Sequence, residues 1–555
     1  MKLNERGYPV YTYVSTRADY DPVKTIFVCA PSGEAKTVEA AGRFASASGW
    51  KDLAEYDGAV LIVPVVPLGW DAEDHSLPGN IFDALRNTFS SRNGRSLFGR
   101  DGKLWCWETM VYLVGYGDGA DFAGGCLVAN PGRFAAAALV GGAPRGYANG
   151  RDPSGHWMVR NVSADYRRRN DQIPSCLWLL GAEEEQASAA LAYFSGVNGL
   201  SEVPEERMVG TISALCYQNP DEPAQQVLVS RGTFPPAPEL AQTILSHFFD
   251  RVIRWKDGPD GTLCLHLTRA EFYTGSRFIQ DSVRVDTLDY PLAIHLPEGM
   301  TREEAKGLPV VFSVHGRGEP AWLFASKNGW DVLADETRAF VLAVPDSPGN
   351  IWQLERDKAA FPAMIDKLCT EYGLDRSRVY LTGFSNGGSI TREAGTACPQ
   401  LFAGICPSNA PVGVPGLLAP DVIAPDFELS GIELPYWVYV GDSDPAAGVD
   451  VDGQLEIMLR ANGCALRPAQ GLTTRFAPDE VRTGENYYTE RRGYRQGGRF
   501  YTLIYRDAAG VPKVGYTVMK SMPHGAIGEQ SRAAWEFLRH FSREADGTLH
   551  YEKEI

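Results

Sequence analysis

Apolar residues fall in short, continuous, β-branched runs, as in "TIFVCAP" (25–31), "GAVLIVP" (58–64), "PVVFSVHG" (309–316) and "RVYLTGF" (378–384). Strands that are apolar on both faces belong to a parallel sheet covered by helices on each side, and helical segments between the runs fit βαβ units. Two stretches with apolar residues at helical spacing, "PELAQTILSHFFDRVIRW" (238–255) and "EQSRAAWEFLRHF" (529–541), predict closing helices. One late segment, "NYYTERRGYRQGGRFYTLIYRD" (486–507), alternates aromatic and polar residues across glycine turns and predicts a hairpin or long strands.

The pattern occurs twice. "FASASGW" (44–50) returns as "FASKNGW" (324–330), "PGNI" stands at 78–81 and 348–351, and "VYLVGYG" (111–117) answers "VYLTGFS" (379–385). Further along, "PGRFAAAALVGGAP" (131–144) answers "PQLFAGICPSNAP" (399–411), and "CLWLLGAEE" (176–184) answers "YWVYVGDSD" (436–444). A repeat of this period, in constant order, indicates two copies of one architecture. The Gly/Pro/Asp cluster "KDGPDG" (256–261) between them predicts a boundary, giving domains 1–255 and 256–555.

Composition narrows the function classes. A hydrophobic share of 44% and a charged share of 22% are those of a packed globular protein. The net charge of −16 argues against nucleic-acid and anionic-membrane partners. The first residues carry no signal-like apolar core, and no run of about 18 apolar residues occurs, so a cytoplasmic protein is expected. The ten cysteines have no framework or metal-ligand spacing, and those in apolar runs, such as Cys29 and Cys176, are expected to be buried thiols. Neither a metal nor a cofactor is expected. Oligomeric state is not fixed by composition, and a homo-oligomer stays open.

The second copy carries the chemistry. "GFSNG" (383–387) is a G-x-S-x-G between a strand and a helix, where the glycines permit a sharp turn that lifts the Ser385 hydroxyl above the sheet. A serine needs a histidine base and a carboxylate to orient it, and in this setting the chain order is Ser, acid, His. Of the histidines after Ser385, His540 falls in the closing helix and His550 in the tail, which leaves His524 in "KSMPHGA". Asp444, further past the strand end than Asp442, is the expected acid, with Asp442 a turn-former. The N–H groups of Asn386 and of Arg317 in "FSVHGRG" (312–318) are the expected oxyanion donors, with His315 bracing that turn. The Arg317 side chain either meets an acidic substrate group or stays solvated at the rim. Trp352 in "PGNIWQ" either lines the substrate pocket or belongs to the core.

With "VHGRG", "GFSNGG", "VGDSDP" and "MPHG", residues 290–545 resemble the α/β-hydrolase esterases similar to polyhydroxybutyrate depolymerases and feruloyl or acetylxylan esterases. The resemblance implies two tandem α/β-hydrolase-like domains, each a mostly parallel sheet flanked by helices. It implies a serine hydrolase acting on aryl, short-acyl or hydroxyalkanoate-type esters, small or oligomeric. A prolyl-oligopeptidase-like peptidase and a non-enzymatic binding protein of hydrolase fold are the alternatives. In the first copy Gly117 stands for Ser385, Glu184 for Asp444 and about Thr233 for His524, while "CAPSG" (29–33) replaces "VHGRG". Asp118 as a nucleophile would put Tyr116 where a small residue is needed, so its side chain is expected to cap the following helix. The first copy is therefore expected to be non-catalytic, packing beside the second and shaping its entrance or an oligomer contact.

Overall fold

In the computed structural model the described residues are 9–17, 23–89, 106–147, 169–255, 261–410, 423–424, 426–444, 451–469, 474–485 and 499–554. The apolar runs form the buried strands of two large sheets, one in each of two units, Met1–Thr268 and Arg269–Ile555.

The first sheet uses β1 (Val10–Val14), β2 (Val23–Cys29), β3 (Val60–Pro64), β4 (Cys106–Tyr116), β5 (Ala136–Val140), β6 (Leu177–Leu180), β7 (Glu205–Val209), β8 (Ile212–Gln218) and β9 (Gln226–Ser230). Their order is β1-β3-β2-β4-β5-β6-β9-β8-β7. A separate hairpin pairs β10 (Val252–Trp255) with β11 (Thr262–Leu265). The second sheet uses β12 (Ile279–Val285), β13 (Leu288–His295), β14 (Val310–Val314), β15 (Val341–Pro345), β16 (Val379–Phe384), β17 (Gly404–Ser408), β18 (Tyr436–Gly441), β19 (Glu480–Glu485), β20 (Phe500–Arg506) and β21 (Pro512–Met519). Its order is β12-β13-β15-β14-β16-β17-β18-β21-β20-β19, followed by a hairpin of β22 (Phe541–Arg543) and β23 (Leu549–Tyr551). From β13 to β19 the path repeats the first sheet strand for strand, and among the described residues β12 has no counterpart there.

In both sheets the central strands run parallel, and antiparallel strands stand at the edges. Both units have the α/β-hydrolase fold. Every residue of β3, β5, β14, β15 and β16 is buried, as continuous apolar runs covered on both faces require. The alternating segment contributes β20, which pairs antiparallel with β19 and β21, while its residues 486–498 lie outside the described residues.

Three expectations change. The first closing helix ends at His247, and "VIRW" is β10. Likewise the last helix is Gly528–Leu538, and β22 follows it. The boundary expected at 255/256 therefore falls inside a hairpin, between β10 and β11; residues 256–260 of "KDGPDG" lie outside the described residues.

The reason is a buried arginine in each hairpin. Arg254 donates to the carbonyls of Phe134 (2.9 Å), Pro174 (2.7 Å) and Gly261 (3.4 Å). Arg543 donates to Phe402 (2.7 Å), Glu433 (2.5 Å) and Gly547 (2.7 Å), and burial pulls its pKa down to about 10 against the opposing charge of Glu433. A strand tyrosine completes each anchor, Tyr112 donating to Val252 O and Tyr380 to Phe541 O, both at 2.7 Å. Each guanidinium satisfies carbonyls at the N-terminal ends of central strands that would otherwise be buried without a donor. The hairpin is thus a repeated part of each unit. Replacing Arg254 or Arg543 by leucine is expected to lower unfolding free energy by about 3 kcal/mol, because acceptors are left unpaired. Urea unfolding followed by circular dichroism measures this, and a loss below about 0.5 kcal/mol contradicts the anchoring role.

Candidate active site

Ser385 sits between β16 and the helix Asn386–Ala397 with φ 56° and ψ −121°. A serine in this region is strained by about 1–3 kcal/mol, which the surrounding structure must impose. It does so by close approach. A Cβ on Gly383 would lie 2.3 Å from the Gly387 carbonyl oxygen, and one on Gly387 would lie 2.2 Å from that of Val314 and 2.4 Å from that of His315. The helix start is pressed against the loop after β14, and the Ser385 N–H is held by the Ser408 carbonyl at 2.9 Å.

Ser385 Oγ lies 2.8 Å from His524 Nε2, and His524 Nδ1 lies 2.7 Å from Asp444 Oδ2. The Asp444 side chain is fully buried, whereas that of His524 is 17% exposed. Asp442 is exposed, its carboxylate accepting from the Ser443 hydroxyl at 2.9 Å. His540 lies just past the last helix and contacts the Glu552 carbonyl; His550 is in β23.

Two residues not singled out from sequence hold this relay together. Asn409, buried and at φ 42°, accepts from Gly441 N–H and donates to the Gly525 carbonyl, both at 2.6 Å. It therefore ties the strand end before Asp444 to the residue after His524. Arg499 donates to the carbonyls of Lys520 (3.0 Å) and Ser521 (3.3 Å), fixing the approach to His524. The repeat did carry a signal for Asn409, which stands opposite Gly141 in the paired segments.

The amides of Arg317 and Asn386 have no protein acceptor among the described residues. Asn386 N–H belongs to the first turn of its helix, where no intrahelical partner exists. Its side chain is clamped on Trp352, accepting from the Trp352 N–H at 2.8 Å and donating to the Trp352 carbonyl at 3.1 Å. The Trp352 indole is 2% exposed, packs with Phe361 and donates to the His315 carbonyl at 3.1 Å. Trp352 is thus a core residue bracing the loop that carries Arg317, and being buried it does not line a substrate pocket. His315 is fully buried, with Nδ1 2.7 Å from the Gly316 carbonyl and Nε2 3.0 Å from Asp346. Burial works against its charge, yet Asp346 raises its pKa above the ordinary histidine value. The Arg317 side chain is exposed. Among the described residues no group of three or more His, Cys, Asp or Glu is arranged to hold a metal ion, and nine cysteines stand outside any disulfide.

The first unit keeps the backbone of this turn with other side chains on it. Gly117 has φ 58° and ψ −126°, its N–H bonds the Val140 carbonyl at 2.8 Å, and a Cβ on Gly119 would meet the Cys29 carbonyl oxygen at 2.3 Å. The donor corresponding to Arg317 is Ser32, and its N–H is taken by Asp118 Oδ1 at 3.0 Å. Asp118 therefore does not cap its own helix; its carboxylate takes the amide that corresponds to that of Arg317. Strand register also shifts the expected acid. Leu180 aligns with Tyr439, which sets Glu184 opposite Ser443, not Asp444. Glu184 is 88% exposed and begins a helix, so no carboxylate enters the site from it. Thr233 lines a cleft of about 240 Å³ together with Gly117, Gly181 and Phe234.

No family model matches the chain. It is 31% identical over 111 residues to a bifunctional acetylxylan esterase/xylanase of Neocallimastix patriciarum, covering 19% of this chain and 16% of that protein. It is 28% identical over 127 residues to poly(3-hydroxyalkanoate) depolymerase C of Paucimonas lemoignei, covering 20% and 29%. Feruloyl esterase B of Thermothelomyces thermophilus is 27% identical over 106 residues, covering 17% and 36%. The chain thus spans under half the length of each of these relatives. Among solved structures, an acetyl xylan esterase from Aspergillus awamori aligns with a TM-score of 0.35 and 14% identity, covering 47% of this chain and 98% of that one.

Among the described residues no histidine or carboxylate lines the cleft at Gly117, and the Ser32 amide is already taken by Asp118, so a serine placed there alone should do nothing. In a Ser385→Ala background, Gly117→Ser is expected to give no labelling by a fluorophosphonate, read by intact-mass spectrometry. Asn409→Gly, with Ser385 intact, is expected to slow labelling about tenfold or more by loosening the relay; an unchanged rate would show that Asn409 does not hold it.

Proposed function

We propose that this chain, an α/β hydrolase by fold, hydrolyses carboxylic esters through an acyl-enzyme on Ser385. The observation that carries the reading is the continuous pair of contacts from Ser385 Oγ to His524 and from His524 to Asp444, at 2.8 and 2.7 Å, beside two amides with no protein acceptor among the described residues.

The residues fit an acyl-transfer sequence. His524 Nε2 takes the Ser385 proton as Oγ attacks the ester carbonyl, and buried Asp444 stabilises the imidazolium so formed. The Arg317 and Asn386 N–H groups receive the oxyanion, and the clamp on Trp352 keeps the second donor fixed before substrate arrives. The imidazolium then protonates the departing alcohol. In the second half His524 deprotonates a water, which attacks the acyl-enzyme and releases the acid and free Ser385. None of these steps requires a metal or a cofactor.

For the substrate, the relatives' names point to acetyl, feruloyl or hydroxyalkanoate esters, so short-acyl, aryl and hydroxyacyl esters are the classes proposed, small or oligomeric. The loops expected to shape the pocket include residues 411–422, 470–473 and 486–498, which lie outside the described residues. A peptidase of the prolyl-oligopeptidase kind would use the same three side chains. The first unit bears on that alternative, since it is a second hydrolase-like fold and not a propeller. We assign it no catalytic part.

Ser385→Ala is expected to lower turnover of acetyl and feruloyl esters by on the order of a millionfold while leaving the fold intact. A panel of fluorogenic esters and matched amides checks the class: hydrolysis of amides in preference to esters would replace the esterase reading by the peptidase one, and full activity in Ser385→Ala would discard the site.

A further inference from the structure

Beneath the site lies an ion pair with no role in the chemistry described so far. Lys327 Nζ is 2.7 Å from Glu319 Oε1, and each side chain is 1% exposed. Two charges removed from water are costly, and well-packed apolar residues of similar size often support a fold equally well. Retention of the pair therefore calls for a reason beyond packing.

Each end of the pair touches a segment that carries a proposed catalytic group. Glu319 Oε2 accepts from the Gly316 N–H at 3.4 Å, and Gly316 immediately precedes the oxyanion donor Arg317. Lys327 Nζ stands 4.1 Å from the centre of the Phe384 ring. That ring lies 4.9 Å from the His524 imidazole, and Phe384 immediately precedes Ser385. A desolvated ammonium against an aromatic face is a firm contact, stronger than the same contact in water. The chain of contacts thus runs from the oxyanion loop through Glu319, Lys327 and Phe384 to the base.

The first unit acts as an internal comparison. By strand register Gly316 is replaced by Pro31, which has no N–H to give, and Glu319 by the exposed Glu34. Ala47 stands where Lys327 does in the paired "FASASGW" and "FASKNGW", and Tyr116 replaces Phe384, its hydroxyl accepting from the Trp50 indole at 2.9 Å. The elbow glycines persist there, so the elbow does not need the pair. What disappeared with the serine, histidine and acid is this set of contacts.

We infer that Glu319 and Lys327 are positioning residues for the reaction: Glu319 sets the loop that presents the Arg317 amide, and Lys327 holds Phe384 and, through it, the plane of His524. This role rests on the ester-hydrolysis reading above. It predicts that the pair governs turnover and leaves substrate binding alone, since neither side chain reaches the substrate.

The test is steady-state hydrolysis of 4-nitrophenyl acetate by the full-length chain, with thermal unfolding measured alongside. Glu319→Leu/Lys327→Met removes both charges and leaves neither unpaired. The expected result is a midpoint within a few degrees of wild type, KM within about twofold, and kcat lower by on the order of 10- to 100-fold. A folded double variant with wild-type kcat overturns the role. If the double variant does not fold, Phe384→Leu decides, because it keeps the ion pair and removes the ring between it and His524. Reduced kcat at unchanged KM then supports the role, and wild-type kcat overturns it. A wild-type protein that hydrolyses no ester overturns the ester reading and this role with it; an active wild type beside an equally active variant overturns the role alone.

Discussion

The close approach of a helix start to a neighbouring strand end governs this molecule. Gly387 has room for no side chain because the carbonyls of Val314 and His315 occupy the space. That single contact brings the Asn386 amide and the loop bearing the Arg317 amide together, and it forces Ser385 into the left-handed region. The glycines are thus a geometric requirement, and the functional groups are placed by it. In the first unit the same close approach holds at Gly115 and Gly119, and Gly117 keeps the positive φ of Ser385, although no serine is present. Fold maintenance is enough to preserve the turn, whatever becomes of the chemistry.

Comparing the halves separates what the architecture needs from what the reaction needs. Common to both are the strand order from β13 to β19, the buried tryptophan pair Trp178 and Trp437, each donating to a strand hydroxyl, and the arginine-anchored hairpins. Confined to the second unit are Ser385, His524, Asp444, Asn409 and the Glu319–Lys327 pair. In the first unit Asp118 places a carboxylate on the Ser32 amide, the counterpart of that of Arg317. A negative charge already seated there repels a second one.

Sequence conveyed the parts of this that depend on local pattern. The β-branched runs announced buried strands, the repeat announced two units, and the order Ser, Asp, His brought together residues whose side chains the structure sets in contact. What it missed depends on contacts between distant segments. Arg254 fell inside an expected helix and Arg543 just beyond another, because the carbonyls they satisfy lie far away in sequence. The words "DGTL" at 260–263 and 546–549 nevertheless mark the second strand of each hairpin. Glu184 seemed to match Asp444 because an alignment of letters does not show the register of β18 on β17. "PGNI" illustrates the converse: it lies in the helix Leu77–Phe89 in one unit, while in the other Asn350 adopts φ 55° and accepts from Gly318 N–H. Identical letters there do not mean equivalent structure. Trp352 was ambiguous because burial decides its role, and burial is a property of the assembled core.

The arginine-anchored hairpins have one more consequence, for how each unit can be handled as a module. Arg543 grips carbonyls that precede β17 and β18, at the N-terminal ends of the central strands, whereas Ser385, Asp444, His524 and Arg317 all follow the C-terminal ends of theirs. The chain therefore leaves the second unit on the face remote from the reacting groups. A linker inserted after β23 therefore extends from that far side, away from the reacting groups.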